Sequence, residues 1–209
     1  MAPTPADPPL DCGKCSRLVD FRHANSEKHP DWHNAPVPSF GSANCTLLIV
    51  GLAPGLQGAN RTGRPFTGDY AGDLLYPTLL KFGWAKGTYK QSAKDGLKLK
   101  KCRITNAVRC VPPQNKPVGA EQKACRPYLV DEIAALPKLK TILALGRVAH
   151  EAIVATFELR KSAYPFIHGA KHPLPNGTML TDSYHCSRYN LNTGRLTTEM
   201  FESVFSTLP

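Results

Sequence analysis

At 209 residues the chain is long enough for one domain with a substantial core, and all of it is expected to form a single domain. A composition of 42% hydrophobic and 20% charged residues argues against a disordered chain; no apolar run reaches bilayer length, and Met1 to Pro9 lacks the basic and apolar parts of a signal peptide, so no membrane partner and a cytoplasmic location are expected. The 26 Lys and Arg against 16 Asp and Glu give a formal charge of +10, which favours encounters with polyanions such as nucleic acid, although charge alone suits a merely basic protein equally well.

Residues 1–10 are rich in Pro and Ala and are expected to be flexible. Beyond them, Cys45 to Val50 is a continuous apolar run closed by Gly51, the pattern of a strand buried on both faces. Gly72 to Phe82 is predicted helical, with Leu75, Leu79 and Phe82 on one face. Lys94, Lys98, Lys100, Lys101 and Arg103 read as a solvated edge. Cys102 to Val108 is predicted as a second strand. Glu121 to Leu136 is predicted as a helix with Leu129, Ile133 and Leu136 inward, and with a kink or early turn at Pro127. Thr141 to Leu145 is a third strand, followed by a helix through Ala149, Ile153 and Val154. Thr178 to Ser183 is a fourth strand, and Thr197 to Leu208 a last helix with Met200, Val204 and Leu208 in register. This alternation predicts a three-layer α/β/α fold around a central, mainly parallel four-stranded sheet. Ligands then bind beyond the carboxyl ends of the strands, which singles out the segments after Val50, Thr105, Leu145 and Ser183.

Seven cysteines in a chain without an export signal point to metal binding or catalysis before disulfides. Cys12 and Cys15 form a C-x2-C, while Cys110 and Cys125 lie far downstream with fourteen residues between them. There is no second C-x2-C for a zinc ribbon, and a 2 + 1 + 1 set of thiolates suits a [4Fe–4S] cluster better; spacing alone leaves unrelated buried cysteines equally open. Cys45, at the start of a strand, reads as core. The loop Gly51-Leu-Ala-Pro-Gly55 is neither a Walker loop nor a dinucleotide fingerprint, but its small residues let backbone amides approach a ligand. Asp69 either caps the next helix or carries chemistry, and Phe66 either plugs the core or offers a stacking face. In Ser183-Tyr-His-Cys-Ser-Arg-Tyr-Asn190, a histidine at a strand end is joined by Ser187, Arg188, Asn190 and, further on, Arg195, all able to contact phosphates.

Four segments in this order carry a specific resemblance: Gly51-Leu-Ala-Pro-Gly55, Asn60-Arg-Thr-Gly-Arg-Pro-Phe-Thr-Gly-Asp69, Ile104-Thr-Asn-Ala-Val-Arg-Cys-Val-Pro-Pro-Gln-Asn-Lys-Pro117 and Tyr184-His-Cys-Ser-Arg-Tyr-Asn190. With Val37–Gly41 and Ile167–His172, they resemble the motifs of the family 5 uracil-DNA glycosylases over nearly the whole chain after residue 10. The sibling family 4 carries Glu after the first glycine, where this chain has Leu52. Cys186 stands where the wider superfamily has Pro.

The resemblance implies the uracil-DNA glycosylase fold and a structural [4Fe–4S] cluster on Cys12, Cys15, Cys110 and Cys125. It also implies a monofunctional enzyme, working as a monomer, that flips a deaminated base out of double- or single-stranded DNA and hydrolyses its N-glycosidic bond. Phe66 would stack on the base, Asn106 would pair with its O4/N3 edge, and Gly51, Leu52, Ala53 and Gly55 would line the pocket. His185 would donate to O2 of the departing uracil anion, and Asp69, with Asp73 as alternative, would handle water or face the sugar cation. Ser187 and Asn190 would hold phosphates, Arg188, Tyr189 or Leu191 would wedge into the duplex, and Arg195 would bind DNA. Leu52 makes a less restrictive pocket, so hypoxanthine or xanthine joins uracil as an expected substrate. The alternative from another class is a non-catalytic DNA-binding iron–sulfur protein.

Overall fold

The computed structural model describes residues 7–209. In chain order the elements are α1 (Ser16–Lys28), β1 (Leu47–Gly51), α2 (Ala59–Thr62), α3 (Tyr70–Lys81), β2 (Ala85–Lys86), β3 (Lys98–Leu99), β4 (Cys102–Asn106), α4 (Gly119–Ala134), β5 (Thr141–Leu145), α5 (Arg147–Thr156), β6 (Lys171–Pro173), β7 (Met179–Ser183), α6 (Arg188–Asn192) and α7 (Thr198–Ser206). The central sheet has the order β4-β1-β5-β7-β6, with β4, β1, β5 and β7 parallel. Successive strand residues point to opposite faces, so Leu47, Ile49, Leu143 and Leu145 join Leu75, Leu79, Phe201 and Phe205 of α3 and α7. Leu48, Val50, Ile142, Ala144 and Leu180 meet Leu129, Ile133, Ile153 and Val154 of α4 and α5 on the other face. Cover on both faces is why these strands are written in continuous apolar residues rather than alternating ones.

Several expectations are corrected. The sheet has five strands rather than four: β6 pairs antiparallel with β7, Lys171 opposite Thr181. A three-residue strand ending in Pro173 has no periodicity to announce it, and proline is tolerated there because β6 is the edge. The buried stripe of α7 is Phe201, Val204 and Phe205, with Met200 and Leu208 at its margin. Arg103 does not belong to a solvated edge; it is buried, with Nε donating to Glu132 Oε1 at 2.7 Å. The helix expected over Glu121–Leu136, with a kink or early turn at Pro127, is α4, Gly119–Ala134, with Pro127 inside it.

Of the segment expected to be flexible, residues 1–6 lie outside the described residues, and Asp7 to Leu10 are tied down. Asp7 Oδ1 accepts from the Ser39 amide (2.9 Å) and from Arg109 Nη1 (3.0 Å), and the Leu10 carbonyl accepts from Arg22 (2.9 Å). Among the described residues no helix is long and apolar enough to cross a membrane.

Candidate active site

The carboxyl ends of β1, β4 and β7, with the loop before α3, enclose a cavity of about 520 Å³. Its lining includes Leu52, Ala53 and Gly55 after β1, Asn106 at the end of β4, Phe66 and Asp69 before α3, and His185 just beyond β7. Parallel pairing sets Gly51 beside Asn106, which is how two sequence-distant motifs come to share one wall.

Gly51 itself is required by space. A Cβ there would run into Asn106 Oδ1 and the ring of Phe66. Phe66, almost fully buried, has φ +53°, a left-handed backbone that costs a bulky aromatic conformational energy. Its ring lies 6.0 Å from the His185 ring, centroid to centroid, at an angle of 31°.

Asp69 caps α3 through an Oδ1 that accepts from the Gly72 amide at 3.3 Å, so the cap reading of the sequence is realised. Its carboxylate also lines the cavity, and Gly58 has no room for a Cβ beside it. Burial pushes its pKa above the ordinary carboxylate value, against the pull of the Gly72 and Ala71 amides. Asp73, the alternative, is exposed, takes a hydrogen bond from Gln91 (2.7 Å) and is outside the lining. His185 reaches the cavity through a partly open side, yet its ring lies in low-dielectric surroundings that hold its pKa down to about 4. It is neutral at physiological pH and keeps one N–H to donate.

The rim residues divide. Ser187 is the N-cap of α6, and Asn190 Nδ2 donates to the His185 carbonyl at 2.8 Å, so both are engaged in holding the loop. Arg188, Tyr189 and Arg195 are exposed, with Arg188 over the ring of Tyr70 and Arg195 over that of Tyr184, each at 4.9 Å. Cys186 is fully buried, and burial keeps its thiol protonated.

Sequence reading missed two contributors. Asn115, at φ +56° and directly after Gln114 at φ +56°, lines the mouth of the cavity; a run of two left-handed non-glycine residues has no composition signal. The helix α1 was also missed, because its polar residues hide any apolar stripe; it buries only Leu18, Arg22 and Asn25.

Behind Ala53, four cysteines line a second, smaller pocket with Leu18, Val108 and Tyr128: Cys12, Cys15, Cys110 and Cys125. None is in a disulfide. Arg22 donates to the Cys12 carbonyl (2.7 Å), fixing the C-x2-C loop, and the Arg109 amide donates to Cys125 Sγ at 3.4 Å. Burial, against the pull of Arg22 and with help from the neighbouring sulfurs, pushes the Cys110 thiol up to about 12. Four thiolates here therefore need a polycationic centre, and an all-sulfur donor set with N–H···S support fits an iron–sulfur cluster.

Residues 38–208 match the model of the uracil DNA glycosylase superfamily. The chain is 47% identical over 199 residues to a type-5 uracil-DNA glycosylase of Thermus thermophilus, covering 92% of this chain and 90% of the relative. It is 40% identical to a type-5 enzyme of Mycobacterium leprae over 93% of this chain and 88% of the relative. A type-4 uracil-DNA glycosylase of Archaeoglobus fulgidus is 32% identical over 64% of this chain and 59% of the relative.

Proposed function

The chain belongs to the uracil-DNA glycosylase superfamily, in its type-5 group, and from that membership we propose how its own residues remove uracil during base excision repair. One observation carries the reading: Asn106, Phe66, Asp69 and His185, scattered over 120 positions of sequence, line a single cavity at the strand ends.

The base is extruded from the duplex into this cavity, where the Phe66 ring gives it a stacking face of about 1–3 kcal/mol. The Asn106 amide offers a donor and an acceptor to the O4/N3 edge. As the N-glycosidic bond breaks, electrons leave with the base. Neutral His185 stabilises the uracil anion by donating an N–H hydrogen bond to O2, and its low pKa keeps the ring in that neutral form. The Asp69 carboxylate faces the positive charge developing on the sugar and orients the attacking water, accepting its proton as the oxygen bonds to the anomeric carbon, and that proton ends on the released base. Leu52 adds no polar group to the cavity wall, which supports acceptance of hypoxanthine or xanthine beside uracil.

Arg188 and Arg195 on the rim suit phosphate contact, and exposed Tyr189 suits a wedge in the gap left by the base. Cys12, Cys15, Cys110 and Cys125 would hold a [4Fe–4S] cluster that fastens the N-terminal segment and the loop after β4 to the back of the cavity. Its role there is structural.

The test is excision from a duplex with one uracil, by wild type beside Asn106→Ala and His185→Ala. Abasic sites from wild type, and rates reduced about 10²-fold in each variant, are expected. DNA binding without any abasic product would overturn the reading in favour of a non-catalytic binder.

A further inference from the structure

The segment Ile167–His172 precedes the last parallel strand and takes no part in the chemistry above, yet it is laced to β7 beside the catalytic loop. The amide of Gly169 donates to the Asp182 carbonyl (2.8 Å), and the amide of Asp182 donates to the Ala170 carbonyl (3.0 Å). The buried Asp182 carboxylate takes the Ile167 amide on Oδ2 (3.4 Å) and faces His150 Nδ1 with Oδ1 (2.7 Å). His150 Nε2 meets the Tyr164 carbonyl at 2.8 Å. A carboxylate and a carbonyl both accept, an arrangement that suits a ring with a proton on each nitrogen. Burial opposes that charge, but Asp182 raises the His150 pKa over it. The segment is thus anchored at one end by an ion pair inside the fold.

At its other working point, His168 meets the catalytic loop. The Tyr184 amide donates to His168 Nδ1 at 3.0 Å, and the two rings stack at 4.9 Å and 15°. Arg195 lies 4.9 Å from the Tyr184 ring. An accepting Nδ1 bears no proton, so His168 is the neutral Nε2–H tautomer, in keeping with burial that lowers its pKa. Tyr184 directly precedes His185, and the carbonyl of His185 is held on the other side by Asn190 at 2.8 Å. The backbone around His185 is therefore clamped at two points, one from within its own loop and one from a separate segment.

We propose that His168 is a positioning residue for base excision: its neutral imidazole holds the Tyr184 amide and so sets how His185 enters the cavity. The inference rests on the reading of His185 as the donor to the leaving base. His168 is only half-buried, and its neighbours Ile167 and Gly169 are exposed. A general contribution to stability does not explain why its Nδ1 is committed to the one amide that leads into His185. A shift of about 1 Å in a catalytic group costs on the order of 10²-fold in rate, which sets the size of the expected effect.

Two variants separate positioning from mere structure. His168→Leu keeps bulk and leaves the Tyr184 amide unpaired, whereas His168→Asn places an amide oxygen where Nδ1 stood. In single-turnover excision of uracil with enzyme in excess, His168→Leu is expected to lose about 10²-fold in rate with duplex affinity and melting temperature unchanged, and His168→Asn to recover most of the loss. Hydrogen exchange at the Tyr184 amide should speed up in the Leu variant and stay slow in the Asn variant. A Leu variant as fast as wild type overturns the proposal. So does an Asn variant as slow as the Leu variant, or a rate loss that tracks melting temperature in both. Absence of uracil excision by wild type would instead sink the parent reading, and the exchange rates would still report on the hydrogen bond.

Discussion

The strand-end cavity and the pocket of cysteines meet at Ala53, yet they are built by opposite means. Residues of the base cavity stand on the ends of β1, β4 and β7 or at the cap of α3, elements already packed into the two main cores. The cysteines come from a loop before α1, a loop after β4 and the middle of α4, and Leu18 and Val108, with Ala53 and Tyr128 against them, complete a small apolar cluster. The first site is preorganised by the fold. The second joins a helix packed on the sheet to two loops outside it, and a multivalent ligand there would fix those loops in place.

That contrast can be broken from either side. The largest effect is expected at Asp69: Asp69→Ala should slow single-turnover excision about 10³-fold while iron content stays at the wild-type level. Equal loss of iron would show that the two regions are not independent. Next comes Gly51→Ala, whose methyl group would displace Asn106 and Phe66 and cost about 10²-fold in rate, again with the cluster retained. Cys125→Ala should do the reverse. Iron and its visible absorbance are lost and the melting temperature falls, but the rate at a temperature where the fold survives drops only about tenfold, transmitted through Ala53. An undiminished melting temperature would remove the structural role of the cysteines.

The smallest effect is in pH. Burial raises the Asp69 pKa, so on acidification its charge, and the rate with it, should be lost at a higher pH than for a solvated carboxylate. Burial holds the His185 pKa down to about 4, so its ring is neutral near pH 7. The same sign has a stability consequence: the folded chain holds the Asp69 proton more tightly than the unfolded chain, so ionisation at neutral pH works against folding. Asp69→Asn, which keeps a capping oxygen for Gly72, should therefore raise the melting temperature at pH 7 while excision fails. A lowered melting temperature would mean that the charge is compensated.

Much of this was legible because buried parallel strands have a plain signature. Cys45–Val50 and Thr141–Leu145 are apolar without alternation, each closed by glycine, and the strand-end rule then pointed to the loops that line the cavity. The elements that escaped were those that owe their conformation to partners. The strand β6 exists because β7 offers an edge, α1 because Arg22 reaches back to the Leu10 and Cys12 carbonyls, and the turn at Gln114 and Asn115 because the loop after Cys110 closes on the cavity.

The one-dimensional record thus determined the layer architecture and the motifs, since hydrophobic period and ordered residue types are properties of the chain itself. Which donors are free was decided only by the folded chain. Asn190, a phosphate ligand by composition, also braces the His185 carbonyl in space, Arg103 is a surface charge by its neighbours in sequence but a buried partner of Glu132, and His168 and His150 meet opposite partners, an amide donor and a carboxylate, although both are histidine. Hydrogen-bond partners and local dielectric arise between segments far apart in sequence, so no local pattern encodes them.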